Sequence, residues 1–364
     1  MYCCRVCGLR NIHLDYSKDV IMPSLFEYSE DNFIFETCWS DFSHVNSTFD
    51  KALITKWSAL QDENKYFKYK LHIDDSKILP GKFKYLAQLN VARGTQRRKP
   101  INVQSMKQMF DPTVFNFTKM DEGEILFQVW NIHRKDKNNY LAINVSPIGF
   151  GHSLLVPSLY DCLPQVMTEN SLLTAIELFL LSKSPALRMG FNGLCANASV
   201  NHLHYHLYYL EEKMMLETIN VEHLAGPCHM LLSFPSKGFA FQLSKGQNIP
   251  IFVRDVYKLV NLLQESEIPH NVTVTRGSGF QEQNPGESRN HVRVYVWARK
   301  PTGPDRDIFK FVGPALCELF GHLMIKTQEK FDSVTEDYVN DVLTDQTEET
   351  FQSVLEKVKH LYEE

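Results

Sequence analysis

The chain has 364 residues, 43% hydrophobic and 22% charged, a balance that supports a large buried core and excludes a disordered or fibrous protein. Its net charge of −5 offers no general attraction to nucleic acid or to an anionic membrane, so an anionic ligand must be met by local cations. No apolar run approaches the roughly 20 residues of a membrane helix, and the start lacks a signal-peptide hydrophobic region, so a cytoplasmic protein is expected.

Residues 1–47 are of mixed polarity without a sustained period, and an irregular N-terminal arm is expected there. Cys4-Arg5-Val6-Cys7 has the spacing of half a zinc site, but no second CxxC or CxxH completes it, so no metal site is assigned. Beyond Cys3, which adjoins that pair, the cysteines at 38, 162, 195, 228 and 317 are too scattered for a disulfide framework, in keeping with a reducing cytosol. Over residues 47–67, Phe49, Leu53, Trp57, Leu60 and Tyr66 recur at helical spacing, with Ser47 or Asp50 as the cap.

Leu79-Pro80-Gly81 reads as a turn, and residues 83–91 as a strand leading into the basic loop Arg93-Gly94-Thr95-Gln96-Arg97-Arg98-Lys99-Pro100. Arginine's planar fork suits phosphate oxygens, which makes Arg93, Arg97 and Arg98 candidate phosphate ligands. Residues 124–131 and 140–146 read as half-buried strands joined by the polar hairpin 133–139, and residues 153–156 as another strand. Residues 167–182 form the strongest helix, ended by Ser184-Pro185, and a strand over 188–192 follows it.

The chain is organised around Asn201-His202-Leu203-His204-Tyr205-His206-Leu207. In an extended strand alternate side chains share a face, which aligns His202, His204 and His206 opposite Leu203, Tyr205 and Leu207. Three readings of that stripe compete: a strand that merely carries histidines, a metal site, and nucleophilic catalysis with an attacking imidazole. Residues 190–201, Gly-Phe-Asn-Gly-Leu-Cys-Ala-Asn-Ala-Ser-Val-Asn, offer amides, a hydroxyl and backbone N–H groups but no carboxylate to orient metal-bound imidazole. That loop favours phosphorus chemistry.

Beyond residue 212, residues 239–243 read as a strand, 251–263 as a helix, and 271–277 and 291–297 as strands around a mobile polar loop, 278–290. Residues 332–362 read as two acidic, surface-packed helices. The expected fold class is α+β, an antiparallel sheet with packed helices. Strand–helix–strand regions on both sides of residue 212 fit a duplicated half-barrel.

His202-Leu203-His204-Tyr205-His206-Leu207-Tyr208 resembles the histidine-triad signature, and Ile143-Asn144-Val145-Ser146-Pro147 with Gly151-His152-Ser153-Leu154-Leu155-Val156-Pro157 resembles the paired strands before it. Residues 88–98, Phe110-Asp111-Pro112, Phe115-Asn116-Phe117, Val296-Trp297-Ala298-Arg299-Lys300 and Ala315-Leu316-Cys317-Glu318-Leu319 narrow the resemblance to the animal GDP-D-glucose phosphorylases, relatives of the plant GDP-L-galactose phosphorylases. The likeness runs from about residue 50 to the end, which divides the chain into an arm (1–47), a histidine-triad core (48–212) and a packed C-terminal half (213–364). It implies GDP-hexose and inorganic phosphate as partners, with no nucleic acid, membrane, metal or cofactor. It also implies His204 as nucleophile, His206 as the contact to phosphoryl oxygens and leaving group, and His202 as an orienting residue. Asn192 and Ser199 would then stabilise phosphoryl charge, with Arg93, Arg97 and Arg98 near the nucleotide. Histidine at the third motif position, His206, is what nucleotide hydrolases of the superfamily carry, which keeps GMP-releasing hydrolysis as the rival, beside a non-enzymatic nucleotide-binding protein.

Overall fold

The alternation of strands and helices read from the sequence is present in a computed structural model that describes residues 24–43, 47–97, 103, 105–135, 138–302 and 313–363. Arg98 and the Cys4–Cys7 pair lie outside the described residues. In chain order the first half holds β1 (Leu25–Tyr28), α1 (Thr48–Glu63), β2 (Asp75–Ile78), β3 (Leu86–Leu89), α2 (Val91–Gln96), β4 (Ile125–Asn131), β5 (Asn139–Ile143), β6 (Phe150–Val156), α3 (Glu169–Leu180), β7 (Leu187–Asn192) and β8 (Tyr205–Tyr209). There follow β9 (Glu222–Ala225), β10 (Cys228–Leu231), β11 (Gly238–Leu243), α4 (Ile249–Glu265), β12 (His270–Gly277), β13 (His291–Ala298), α5 (Leu316–Leu319), β14 (His322–Ile325), α6 (Gln328–Ser333) and α7 (Glu336–Glu363).

The main sheet runs β1-β4-β5-β6-β8-β7-β12-β13-β11-β10-β9, and its order contains a repeat. β4-β5-β6-β8-β7 and β9-β10-β11-β13-β12 are the same path: three meandering strands, a crossing helix, then two strands of which the later lies beside the meander. The copies meet where β7 and β12 pair antiparallel, Gly190 opposite Thr273. The crossing helices α3 and α4 lock together where both amide atoms of Gln264 bond the Met167 backbone, at 2.8 and 3.0 Å. This is the duplicated antiparallel architecture expected from the sequence.

One core fills the helix side of the sheet, where α1, α3 and α4 lay Leu53, Trp57, Ile176, Phe179, Val256 and Leu259 against Tyr205, Leu207 and Tyr209. A second core fills the other side, under the small sheet β14-β3-β2. Helix α1 starts where the Ser47 side chain accepts from the Asp50 N–H, as the sequence predicts, and ends on Asn64 in the left-handed region (φ 50°). Within it Asp50 is buried and accepts from Ser182 Oγ at 2.6 Å and Tyr209 Oη at 2.7 Å, tying the helix to the sheet.

Four expectations change. The arm contributes a strand, β1, which pairs parallel with β4 because the sheet edge there is open. The strand over 83–91 shortens to β3, and the basic loop begins as helix α2 because Asn90 Oδ1 accepts from the Arg93 N–H at 2.9 Å. The 278–290 loop is fixed at both ends: Ser278 N–H bonds the Glu217 carbonyl, and Arg289 N–H the Thr37 carbonyl. Helix α7 is not merely surface-packed, since Val339 and Leu343 enter one core and Phe351, Val354 and Val358 the other.

Candidate active site

Period-two alternation sends Tyr205, Leu207 and Tyr209 of β8 into the helix-side core and His206 with Tyr208 to the opposite face. Only His206 of the three histidines lies within the strand, which begins at Tyr205 rather than at residue 201. The reason is Gln165, a buried residue of the loop before α3. Its Oε1 accepts from the His204 N–H at 2.8 Å and its Nε2 donates to the His204 carbonyl at 3.0 Å and to the Asn192 carbonyl at 2.9 Å. A side chain thus takes the backbone groups that a neighbouring strand would otherwise bond.

His204 is 1% exposed, and its Nδ1 lies 2.7 Å from the His202 carbonyl oxygen. A carbonyl only accepts, so Nδ1 carries the proton and Nε2 keeps the lone pair. Burial lowers this imidazole to about 4, against a small upward push from that carbonyl. It is therefore neutral at pH 7.

His206 has the complementary tautomer. The Ile148 N–H donates to His152 Nδ1 at 2.9 Å, which puts the His152 proton on Nε2. That nitrogen has two neighbours: Asn144 Nδ2 at 3.2 Å and His206 Nδ1 at 3.1 Å. The Asn144 carbonyl oxygen is occupied by the Ser146 N–H, so its nitrogen faces His152 and can only donate. His206 Nδ1 is left as the acceptor, and His206 carries its own proton on Nε2. Burial, then nearby His204, His152 and Arg93, drive His206 well below its ordinary value. The rings of His204 and His206 stand 5.0 Å apart, one with a lone pair and the other with a donor.

His202 does not share their cleft. It is fully buried, its Nδ1 accepts from the Phe117 N–H at 3.1 Å, and its ring packs on Phe110 and Phe117. The Phe117 ring also touches His204, at 5.0 Å between centroids. The aligned trio expected from the sequence thus becomes a pair at the cleft and one ring behind Phe117.

The cleft of about 180 Å³ is lined by His204, His206 and His152, by Asn144 and Ser146, and by Asn192, Asn197 and Ser199 of the small-residue loop. Asn192 Oδ1 accepts from Asn271 Nδ2 at 2.7 Å and the Leu316 N–H at 3.1 Å, which leaves its amide nitrogen as the donor. Gly190 stands opposite His206 on β7. A Cβ there would lie 2.7 Å from the Val272 carbonyl oxygen and 3.1 Å from Leu316, so its absence lets α5 close one wall. Cations line the cleft as well: Arg93, Arg97 and Lys326. Arg93 donates to the Ser146 carbonyl and, at 3.4 Å, to Tyr69 Oη. Among the described residues no group of three or more His, Cys, Asp or Glu side chains could hold a metal ion.

Of the candidates named from sequence, the fold brings His204, His206, Asn192, Ser199, Arg93 and Arg97 to one cleft. Sequence reading gave no role to His152, Gln165, Phe117 or Lys326. His152 had a signal, a histidine after glycine at the head of a strand beside β8; Gln165 and Lys326 act through contacts distant in sequence and had none.

Residues 48–208 match the family model described as GDPGP1-like, N-terminal domain, and residues 210–364 that described as GDPGP1-like, C-terminal domain. The chain is 40% identical over 324 residues to GDP-D-glucose phosphorylase 1 of Danio rerio, covering 88% of this chain and 93% of that protein. It is 31% identical over 293 residues to GDP-L-galactose phosphorylase 1 of Arabidopsis thaliana, covering 74% and 64% respectively. Among solved structures it superposes on yeast Ap4A phosphorylase Apa2 in complex with Ap4A with a TM-score of 0.58, at 16% identity over 83% of this chain and 98% of that one. The last likeness is one of fold.

Proposed function

The chain belongs to the GDPGP1-like family, and we propose that it catalyses phosphorolysis of GDP-D-glucose, converting GDP-glucose and inorganic phosphate to glucose 1-phosphate and GDP. The observation that carries the reading is the pair of opposite tautomers in one cation-walled cleft, His204 with a free Nε2 and His206 with a protonated one.

The His204 lone pair attacks the α-phosphorus, and the bond to the bridging oxygen of the sugar phosphate breaks. The His206 Nε2–H donates to the departing oxygen as it gains charge. The amide of Asn192, the Ser199 hydroxyl and Arg93 and Arg97 face the transferred group, where fixed donors in a dry cleft stabilise developing charge. Hydrogen phosphate then attacks the guanylyl-His204 adduct and releases GDP. His202 supports the reaction from behind, by holding Phe117 against the nucleophile's ring and by offering the carbonyl that fixes its tautomer. The histidine-triad half supplies the nucleophile, and the C-terminal half closes the cleft.

His206 at the third motif position supports some transfer to water, with release of GMP. No helix among the described residues is long and apolar enough to cross a membrane, and the free thiols of Cys38, Cys162, Cys195, Cys228 and Cys317 support a cytoplasmic location. A panel of GDP-, ADP- and UDP-sugars assayed with and without phosphate tests the function. Phosphate-dependent release of glucose 1-phosphate from GDP-glucose is expected; equal rates without phosphate would replace phosphorolysis by hydrolysis.

A further inference from the structure

The small sheet brings together cations that are far apart in sequence. β3 and β14 run parallel with Leu89 beside Ile325, and the Asn90 N–H extends the ladder onto the Ile325 carbonyl at 2.8 Å. The residues that follow therefore emerge side by side: α2 with Arg93, capped by Arg97, from one strand, and Lys326 from the other. Gly94 permits the approach, since a Cβ on it would lie 3.0 Å from the Lys326 Cβ and 3.2 Å from the Lys326 carbonyl oxygen. Glu318, also at the cleft, is held by the Ala315 N–H at 2.9 Å. Burial raises its carboxyl, while backbone N–H groups and, less strongly, Lys326 and Arg93 act in the opposite direction.

We propose that Lys326, with Arg93 and Arg97, forms the subsite of the acceptor phosphate, and that this cationic wall sets the choice between phosphorolysis and hydrolysis. The assignment rests on the reading of the protein as a GDP-hexose phosphorylase. In each displacement the attacking and departing groups lie in line through the phosphorus. The acceptor therefore enters where the sugar phosphate left, opposite His204. An unprotonated oxygen of hydrogen phosphate forms a bond to the α-phosphorus as the bond from phosphorus to His204 Nε2 breaks. The electron pair returns to Nε2, and GDP leaves with the acceptor's proton on its terminal phosphate. Water enters that place without charge compensation. A phosphate dianion needs it, because desolvating an unpaired anion is costly. The donor has guanosine and hexose as further anchors, whereas inorganic phosphate has only the cations.

Lys326→Met keeps the aliphatic stem and deletes the charge, and the half-exposed position tolerates the change. Steady-state kinetics with both substrates varied and GDP and GMP separated by chromatography test the assignment. The KM for phosphate is expected to rise about tenfold or more, the KM for GDP-glucose to rise less, and the GMP:GDP ratio to increase. Lys326→Arg should restore most of the wild-type ratio, and Gly94→Ala, which pushes α2 off Lys326, should shift it as Lys326→Met does. A folded Lys326→Met variant with unchanged phosphate KM and product ratio overturns the subsite. Wild-type protein that consumes GDP-glucose equally fast with and without phosphate overturns the function on which it rests.

Discussion

His152 Nε2 lies 3.1 Å from His206 Nδ1, across the antiparallel pair β6 and β8. The contact makes a relay of fixed direction: the Ile148 N–H to His152, His152 to His206, and His206 to the cleft. The Trp57 indole of α1 donates to the His152 carbonyl at 3.0 Å, so a helix on the far side of the sheet helps hold the relay in place. His152 is thus a positioning residue that decides which nitrogen of His206 carries the proton.

His152→Ala is expected to lower kcat by about 10²-fold, the scale of one misplaced general acid, with a smaller change in the KM for GDP-glucose. Release of the constraint also lets either His206 nitrogen hold the proton, which should broaden the pH–rate profile. Equal losses in kcat and substrate affinity with an unchanged profile would reduce His152 to a packing residue.

His204→Ala should abolish the covalent adduct and cut turnover by roughly 10⁴-fold or more if, as proposed, its lone pair is the nucleophile. Intact-mass measurement after incubation with GDP-glucose in the absence of phosphate reads this directly. An adduct that persists in the variant would move the nucleophile elsewhere.

Acid should act late on catalysis and earlier on stability. Burial lowers His202 and His204 to about 4 and holds His206 well below its ordinary value, so all are neutral at pH 7, and kcat/KM should hold down to about pH 5. Burial likewise lowers His270 to about 4 and His322 to about 3. The unfolded chain takes up these protons near 6.5 and the folded one does not until near 4, so the unfolded state binds more protons between those values. Their contribution is therefore fully present above about pH 7 and is lost as pH falls through that window, each histidine giving up about 1.4 kcal/mol for every pH unit crossed. Calorimetric melting temperatures that stay level from pH 7 to pH 5 would contradict it.

Glu217 joins segments from three parts of the chain. Its fully buried carboxylate meets the Arg188 guanidinium from β7, Arg289 Nε at 2.9 Å from the loop before β13, and the Trp39 indole at 2.8 Å from the arm. Glu217→Ala leaves two buried cations without a counter-charge and should cost about 3–5 kcal/mol, read as a lower urea midpoint. Turnover per folded molecule should survive, since Glu217 does not line the cleft.

Alternation and helical period made the framework legible. β4, β5, β12 and β13 follow half-buried or continuous apolar runs, and α3 and α4 follow apolar residues in helical step. The histidine motif pointed to the cleft because three imidazoles rarely share one stripe without a chemical cause. What escaped was set by distant partners. β2 and β14 are four residues each, and β14 exists by pairing with β3 across more than 200 positions of sequence. The hairpin β9 and β10 is short and half exposed, so neither period nor composition marks it. Likewise, Gln165 replaces the strand ladder at His204, which turned an expected continuous strand into a bend carrying two of the histidines.

The repeated strand order has one further result. β13 holds in the second copy the place that β8 holds in the first, yet beyond His291 at its start it presents arginine, tyrosine and tryptophan where imidazoles would be needed. Among the described residues, two equivalent scaffolds therefore carry one copy of the proposed nucleophile. In a pre-steady-state burst without acceptor, each polypeptide should liberate one equivalent of sugar phosphate, never two.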